Sequence, residues 1–141
     1  MKRLVMALSV LVLLGATAFA VLAANAHFLG EPTTSHTPSG ALSASGTVAG
    51  LGNGDVTVVL SATGSRTCIN QGGNPPPGQE QTVSGSQTIT DVKNGRITFA
   101  VTTGTLANTC PDHMASTVSF TSATLTIYQG GEVVLQEPLT P

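Results

Sequence analysis

The residues able to do chemistry are few: three histidines, two cysteines and seven carboxylates in 141 residues. His27 follows Ala24-Asn25-Ala26, a small-residue run that closes an apolar N-terminal segment. Cleavage after Ala26 would free the His27 α-amino group, and an amine beside its own imidazole is a chelate suited to Cu(II). A second imidazole, from His36 or His113, would complete that metal set. Cleavage after Ala24 would instead leave Asn25-Ala26-His27, a peptide chelator of Cu(II) or Ni(II) with histidine in third place. The plainer reading is a histidine that happens to follow a cleavage site.

The cysteines carry a firmer inference. Cys68 opens Cys-Ile-Asn-Gln-Gly-Gly-Asn-Pro-Pro-Pro-Gly, a stretch closed to regular structure because its prolines fix φ and lack N–H donors. Cys110 sits in a second breaker segment, Ala-Asn-Thr-Cys-Pro-Asp-His. A Cys68–Cys110 disulfide would tie these two loops across a hairpin between them. In the chain-entropy model a closed loop of about 43 residues contributes ~4 kcal/mol.

Other candidates meet ordinary explanations. Asp55, Asp91 and Asp112 offer oxygen ligands for Ca²⁺, but turn chemistry accounts equally for Asn53-Gly54-Asp55 and no EF-hand spacing is present. No Gly-x-Ser-x-Gly elbow occurs. Ser43, Ser45, Ser84 and Ser86 read as solvent-facing hydroxyls on strands, and Asp112-His113 are loop neighbours that point apart. No catalytic residue is therefore expected, and no cofactor beyond the Cu(II) alternative.

The elements that would position these residues begin after an export signal. Lys2 and Arg3 precede the apolar run Leu4 to Leu14, and small residues follow at Ala20, Ala24 and Ala26, each a candidate cleavage site. Residues 1–26 are read as a signal-peptide helix; left uncleaved, its apolar length would suffice for a membrane anchor. Beyond it, Arg66, Lys93 and Arg96 stand against all seven carboxylates, a net charge of −4, so phosphate backbones are not expected partners. Two cysteines in an exported chain favour a disulfide.

Residues 27–40, rich in Thr, Ser and Pro, read as an extended arm, and 41–141 as one domain. Leu42 to Val48 and Val56 to Ala62 alternate apolar with small polar residues, as strands do. Asn94-Gly95 predicts a type I′ hairpin between Ile89–Lys93 and Arg96–Thr102, and Gly130-Gly131 another between Thr124–Gln129 and Glu132–Gln136. Val118 and Phe120 are out of phase with Leu125 and Ile127, which predicts a β-bulge or a change of sheet around Ser122 to Thr124. Helical periodicity is absent after residue 26.

The pattern predicts an all-β fold: a single antiparallel immunoglobulin-like sandwich of about six or seven strands, with a small β-barrel as alternative. His27-Phe28, Ala49-Gly50-Leu51-Gly52-Asn53, Cys68-Ile69-Asn70, Gly72-Gly73-Asn74-Pro75 and Lys93-Asn94-Gly95 together resemble a group of small exported bacterial proteins. That resemblance implies secretion and a β-sandwich, and carries over no catalytic residue. The functional expectation is a noncatalytic module, secreted or on the cell surface, with a structural, adhesive or binding role. Its partner would be extracellular, or a second copy that adds a strand from the arm; the alternative is a copper-binding protein using His27.

Overall fold

The computed structural model describes residues 25–70, 72, 78–112 and 114–141; residues 1–24 of the leader, residues 71 and 73–77, and His113 lie outside the described residues. Eight strands follow in order: β1 (His27–Phe28), β2 (Thr33–His36), β3 (Leu42–Ala49), β4 (Gly54–Cys68), β5 (Glu80–Val92), β6 (Ile97–Thr102), β7 (Ser116–Gln129) and β8 (Glu132–Leu139). They form two antiparallel sheets. In the first, β6 runs along one edge of β3 while β1 and β2 share the other; the second has the order β5-β4-β7-β8. No helix among the described residues is long and apolar enough to cross a membrane.

Period-two patterning builds the core. Leu42, Ala44 and Val48 on β3 and Ile97, Phe99 and Val101 on β6 meet Val56, Val58, Leu60 and Ala62 on β4 and Ala123, Leu125 and Ile127 on β7 in one buried cluster. Each fully buried aliphatic side chain contributes about 1.5–3 kcal/mol of transfer free energy. The phase change predicted in β7 is a bulge one residue earlier than expected: Thr63 faces Ser122 but Gly64 faces Phe120, leaving Thr121 as the extra residue. It returns Val118 and Phe120 to the inner face of the same sheet.

The two glycine turns part company. Gly130 and Gly131 both adopt positive φ (62° and 83°), and β7 and β8 pair across them as predicted. Across Asn94-Gly95 only the glycine does (64°), and β5 and β6 belong to different sheets. The predicted hairpin is instead a crossing between sheets. Its turn is held by the Leu51 amide, which donates to Gly95 O at 3.0 Å from the β3–β4 crossing beside it. Burial decided the outcome: Ile97, Phe99 and Val101 fill the core from β3's free edge.

The segment read as an arm is paired. β1 and β2 hydrogen-bond to β3 of their own chain, adding two short strands to the six or seven expected. The sheets do not merge into a barrel, because β5 and β6 share no strand ladder. Cys68, the last residue of β4, is bonded to Cys110 in the connection between β6 and β7, as predicted, with Cα atoms 5.5 Å apart.

Candidate functional site

The structure separates the metal-ligand candidates. His27 faces Ala49 at one end of β3 and His36 faces Leu42 at the other, seven residues away, about 24 Å at the rise of an extended strand. They cannot share a metal ion. His36 packs against the Phe120 ring, centroids 6.1 Å apart, and the exposed His27 shares a hydrogen bond between its Nδ1 and the Asn25 carbonyl at 2.8 Å. His113 lies outside the described residues.

The carboxylate set is also divided. Asp55 accepts a hydrogen bond from the Asp91 amide at 3.0 Å, and Asp91, in the left-handed region at φ 58°, pairs with Lys93 at 3.1 Å. Both serve the bulge where β4 meets β5. Asp112 lies beside Cys110, at the other end of the 15-residue β4. Among the described residues no three His, Cys, Asp or Glu side chains converge into a metal-holding group.

Arg66 is the cation built into the fold. Its guanidinium donates to Ser116 Oγ at 3.1 Å, to Leu106 O at 3.3 Å and to Ser39 O, with no carboxylate partner among the described residues. Through its two terminal nitrogens it stitches the β2–β3 turn and the segment after β6 to β7, while its buried Nε has no hydrogen-bond partner among the described residues.

Ser84 and Ser86, read from the sequence as solvent-facing hydroxyls on a strand, are exposed as expected and belong to a wider outer face of the second sheet that the sequence reading did not assemble. Alternation that sends apolar residues inward sends every second residue of β4, β5 and β7 outward, and these are nearly all Ser or Thr. Register aligns them in four rows: Thr88-Thr57-Tyr128, Ser86-Val59-Thr126, Ser84-Ser61-Thr124 and Thr82-Thr63-Ser122. Eleven of these twelve side chains carry hydroxyls, and none is charged. Rows repeat at about 6.8 Å along the strands and ~4.8 Å across them, a patch of about 20 by 10 Å.

Within the patch, hydroxyls pair across strands, Thr57 with Thr88 at 3.2 Å and Thr63 with Thr82 at 3.1 Å. Such pairs stabilise a sheet by a few tenths of a kcal/mol to about 1 kcal/mol each. Sheet stability does not explain the missing charges. Soluble domains generally intersperse Lys and Glu over such a face, but here Asp55, Asp91, Lys93 and Glu80 stand at its rim.

No family model matches this sequence, and no curated protein or solved structure matches it either. The chemistry of the face must therefore speak for itself. Thr126 is buried, its Oγ1 accepting from Gln136 Nε2 at 3.1 Å; the other hydroxyls can each donate and accept, and none carries the large desolvation cost of an ion. A single aromatic, Tyr128, stands within the rows, at the end of one of them.

Proposed function

We propose that this chain is an exported, noncatalytic module, an immunoglobulin-like sandwich freed from its signal peptide, that holds a neutral, hydroxyl-bearing polymer at or outside the cell surface. The observation that carries this reading is the uncharged hydroxyl face of β4, β5 and β7. A polysaccharide offers the matching surface: repeated donors and acceptors, no charge, and modest desolvation on both sides. Protein partners are less well matched, because binding hot spots concentrate Trp, Tyr and Arg and this face has Tyr128 alone. Nucleic acid is set aside by the acidic balance of the chain. The disulfide is compatible with an extracellular location.

Self-association by strand addition finds less support. The arm is already paired with β3, and Glu31-Pro32 and Glu137-Pro138 stand along the opening between β2 and β8, with charges and prolines that block edge pairing.

Co-sedimentation with insoluble neutral polysaccharides tests the proposal. Binding is expected to survive ~1 M salt, where exposed charge interactions are screened. Ser61→Glu combined with Thr124→Lys is expected to weaken it about tenfold or more while leaving the fold intact. Binding lost in salt, or indifferent to the double substitution, would overturn the assignment to this face.

A further inference from the structure

The outer face of the first sheet repeats the chemistry of the second. Inward positions on β3 and β6 are apolar, and the register places Ser35, Ser43 and Thr102 in one outward row and Thr33, Ser45 and Ala100 in the next. Thr47 and Thr98 form a third. Seven of these eight side chains carry hydroxyls, and none is charged. At the spacings of a sheet they cover about 14 by 10 Å.

This face is shaped as well as uncharged. An open depression of about 280 Å³ is lined by the first two rows, with the small Ala100 side chain among the hydroxyls. Ser43 Oγ lies 2.8 Å from Thr102 Oγ1, and Thr33 Oγ1 lies 2.9 Å from Ser45 Oγ. One proton serves each pair, so each pair keeps a second proton to donate and lone pairs with which to accept. A neutral, hydroxyl-bearing chain answers both; an ion would find no counter-charge in the rows. None of the Lys, Arg, Asp or Glu residues after the leader falls in the rows of either face, although ordinary surfaces intersperse such charges.

We infer that the outer face of β2, β3 and β6 is a second site for a neutral polysaccharide, and that the module bridges two polymer chains. The inference rests on the polysaccharide reading above. The two sheets share one core, about 10 Å apart, so their outer faces are turned away from each other. A chain lying along one face cannot lie along the other without bending round an edge, and the two sites therefore take different chains. With seven hydroxyls against eleven, the first-sheet face is the weaker of the two. Substitution at Ser61 and Thr124 thus removes most of the retention, together with the avidity of two-point attachment to a polymer network.

Soluble neutral glucan, mannan and galactan, each as short oligosaccharides and as long chains, are the probes. Titration with the short forms, followed by backbone amide chemical shifts, is expected to move two separate groups, one around Ser61 and Thr124 and one around Ser45 and Ala100. Long chains are expected to be bridged: light scattering rises several-fold with added protein, then falls when excess protein gives every stretch of chain its own molecule. Ser45→Glu combined with Ala100→Lys places opposite charges on a cross-strand pair. This variant is expected to lose the scattering and the Ser45 group of shifts while the Ser61 group still moves, which also reports that it is folded. Shifts around Ser61 and Thr124 alone, without scattering, would overturn the second site and leave the first standing. Shifts at neither face would end both readings, and scattering that survives the Ser45 and Ala100 substitutions would show that bridging does not pass through this face.

Discussion

The two sides of the molecule, where one sheet meets the other, are built on opposite principles. On the β5–β6 side the gap is sealed by polar groups. Gln87 Oε1 accepts from the Ala100 amide at 3.0 Å, Gln81 exchanges two hydrogen bonds with the backbone of Ala107, and Gly104 N–H donates to Ser84 O at 3.0 Å. On the β2–β8 side Thr34 Oγ1 donates to Thr140 O at 2.8 Å across the opening, and Glu31, Pro32, Glu137 and Pro138 line it. One side satisfies its strand edges internally; the other leaves them in water and guards them. A small domain can therefore remain two sheets and still expose little that a neighbour could pair with.

Gly85 gives the sharpest way to break that contrast. A Cβ there would collide with the Thr102 carbonyl and approach the Thr103 Cα, both backbone and unable to yield like a flexible side chain. Gly85→Val is expected to force the sealed side open and cost about 3 kcal/mol, read from the urea midpoint. An equivalent loss is not expected from Gly131→Val in the β7–β8 turn, where nothing lies within 4 Å and the cost is confined to a positive φ of 83°. Equal losses at the two glycines would mean that the seam is looser than its geometry.

A smaller effect is expected at Gln87. Its amide caps one edge group of β6, and the exposed Ala100 amide can turn to water when the side chain is removed. Gln87→Ala is expected to cost about 1 kcal/mol and to raise hydrogen exchange at Ala100 ahead of the rest of β6. Unchanged exchange at that amide would show that the glutamine is not its partner in solution.

The same contrast explains what the sequence could and could not reveal. Strands β3, β4, β6 and β7 declare themselves because their inward positions are Leu, Val, Ile and Phe at period two. β5 hides most of its length, since its inward positions include Gly85 and Gln87, chosen for close approach and hydrogen bonding at the seam rather than for apolar burial. β2, Thr-Thr-Ser-His, is held by backbone pairing and buries almost nothing, so hydrophobic periodicity is silent there. Asn94-Gly95 misleads because turn chemistry is local, whereas the sheet that β6 joins is decided by the free edge of β3. The hydroxyl face is written openly as Ser and Thr at every second position, but only the register turns three separate alternations into one surface.

The guarded side offers the prediction with the smallest effect on stability. Glu137 and Pro138 sit near the end of β8, where Glu137 faces Leu125 and Pro138 faces Thr124 on the inner neighbour β7. Pro138 has no N–H to offer, and Glu137 keeps a charge at the opening between the sheets. Replacing them with Thr and Val restores a strand edge with a full set of donors and a stronger β-propensity. Folding stability is expected to move by no more than about 0.5 kcal/mol, because neither position is buried. Association is expected to change instead. The variant should sediment as dimers or larger species at concentrations where the parent is a monomer, and blocking the opening by a Leu139→Glu substitution in the variant should reverse this. If the Glu137→Thr, Pro138→Val protein stays monomeric at every concentration, the Glu-Pro pairs are turn and strand-end chemistry, and the open side owes its solubility to shape rather than to its guards.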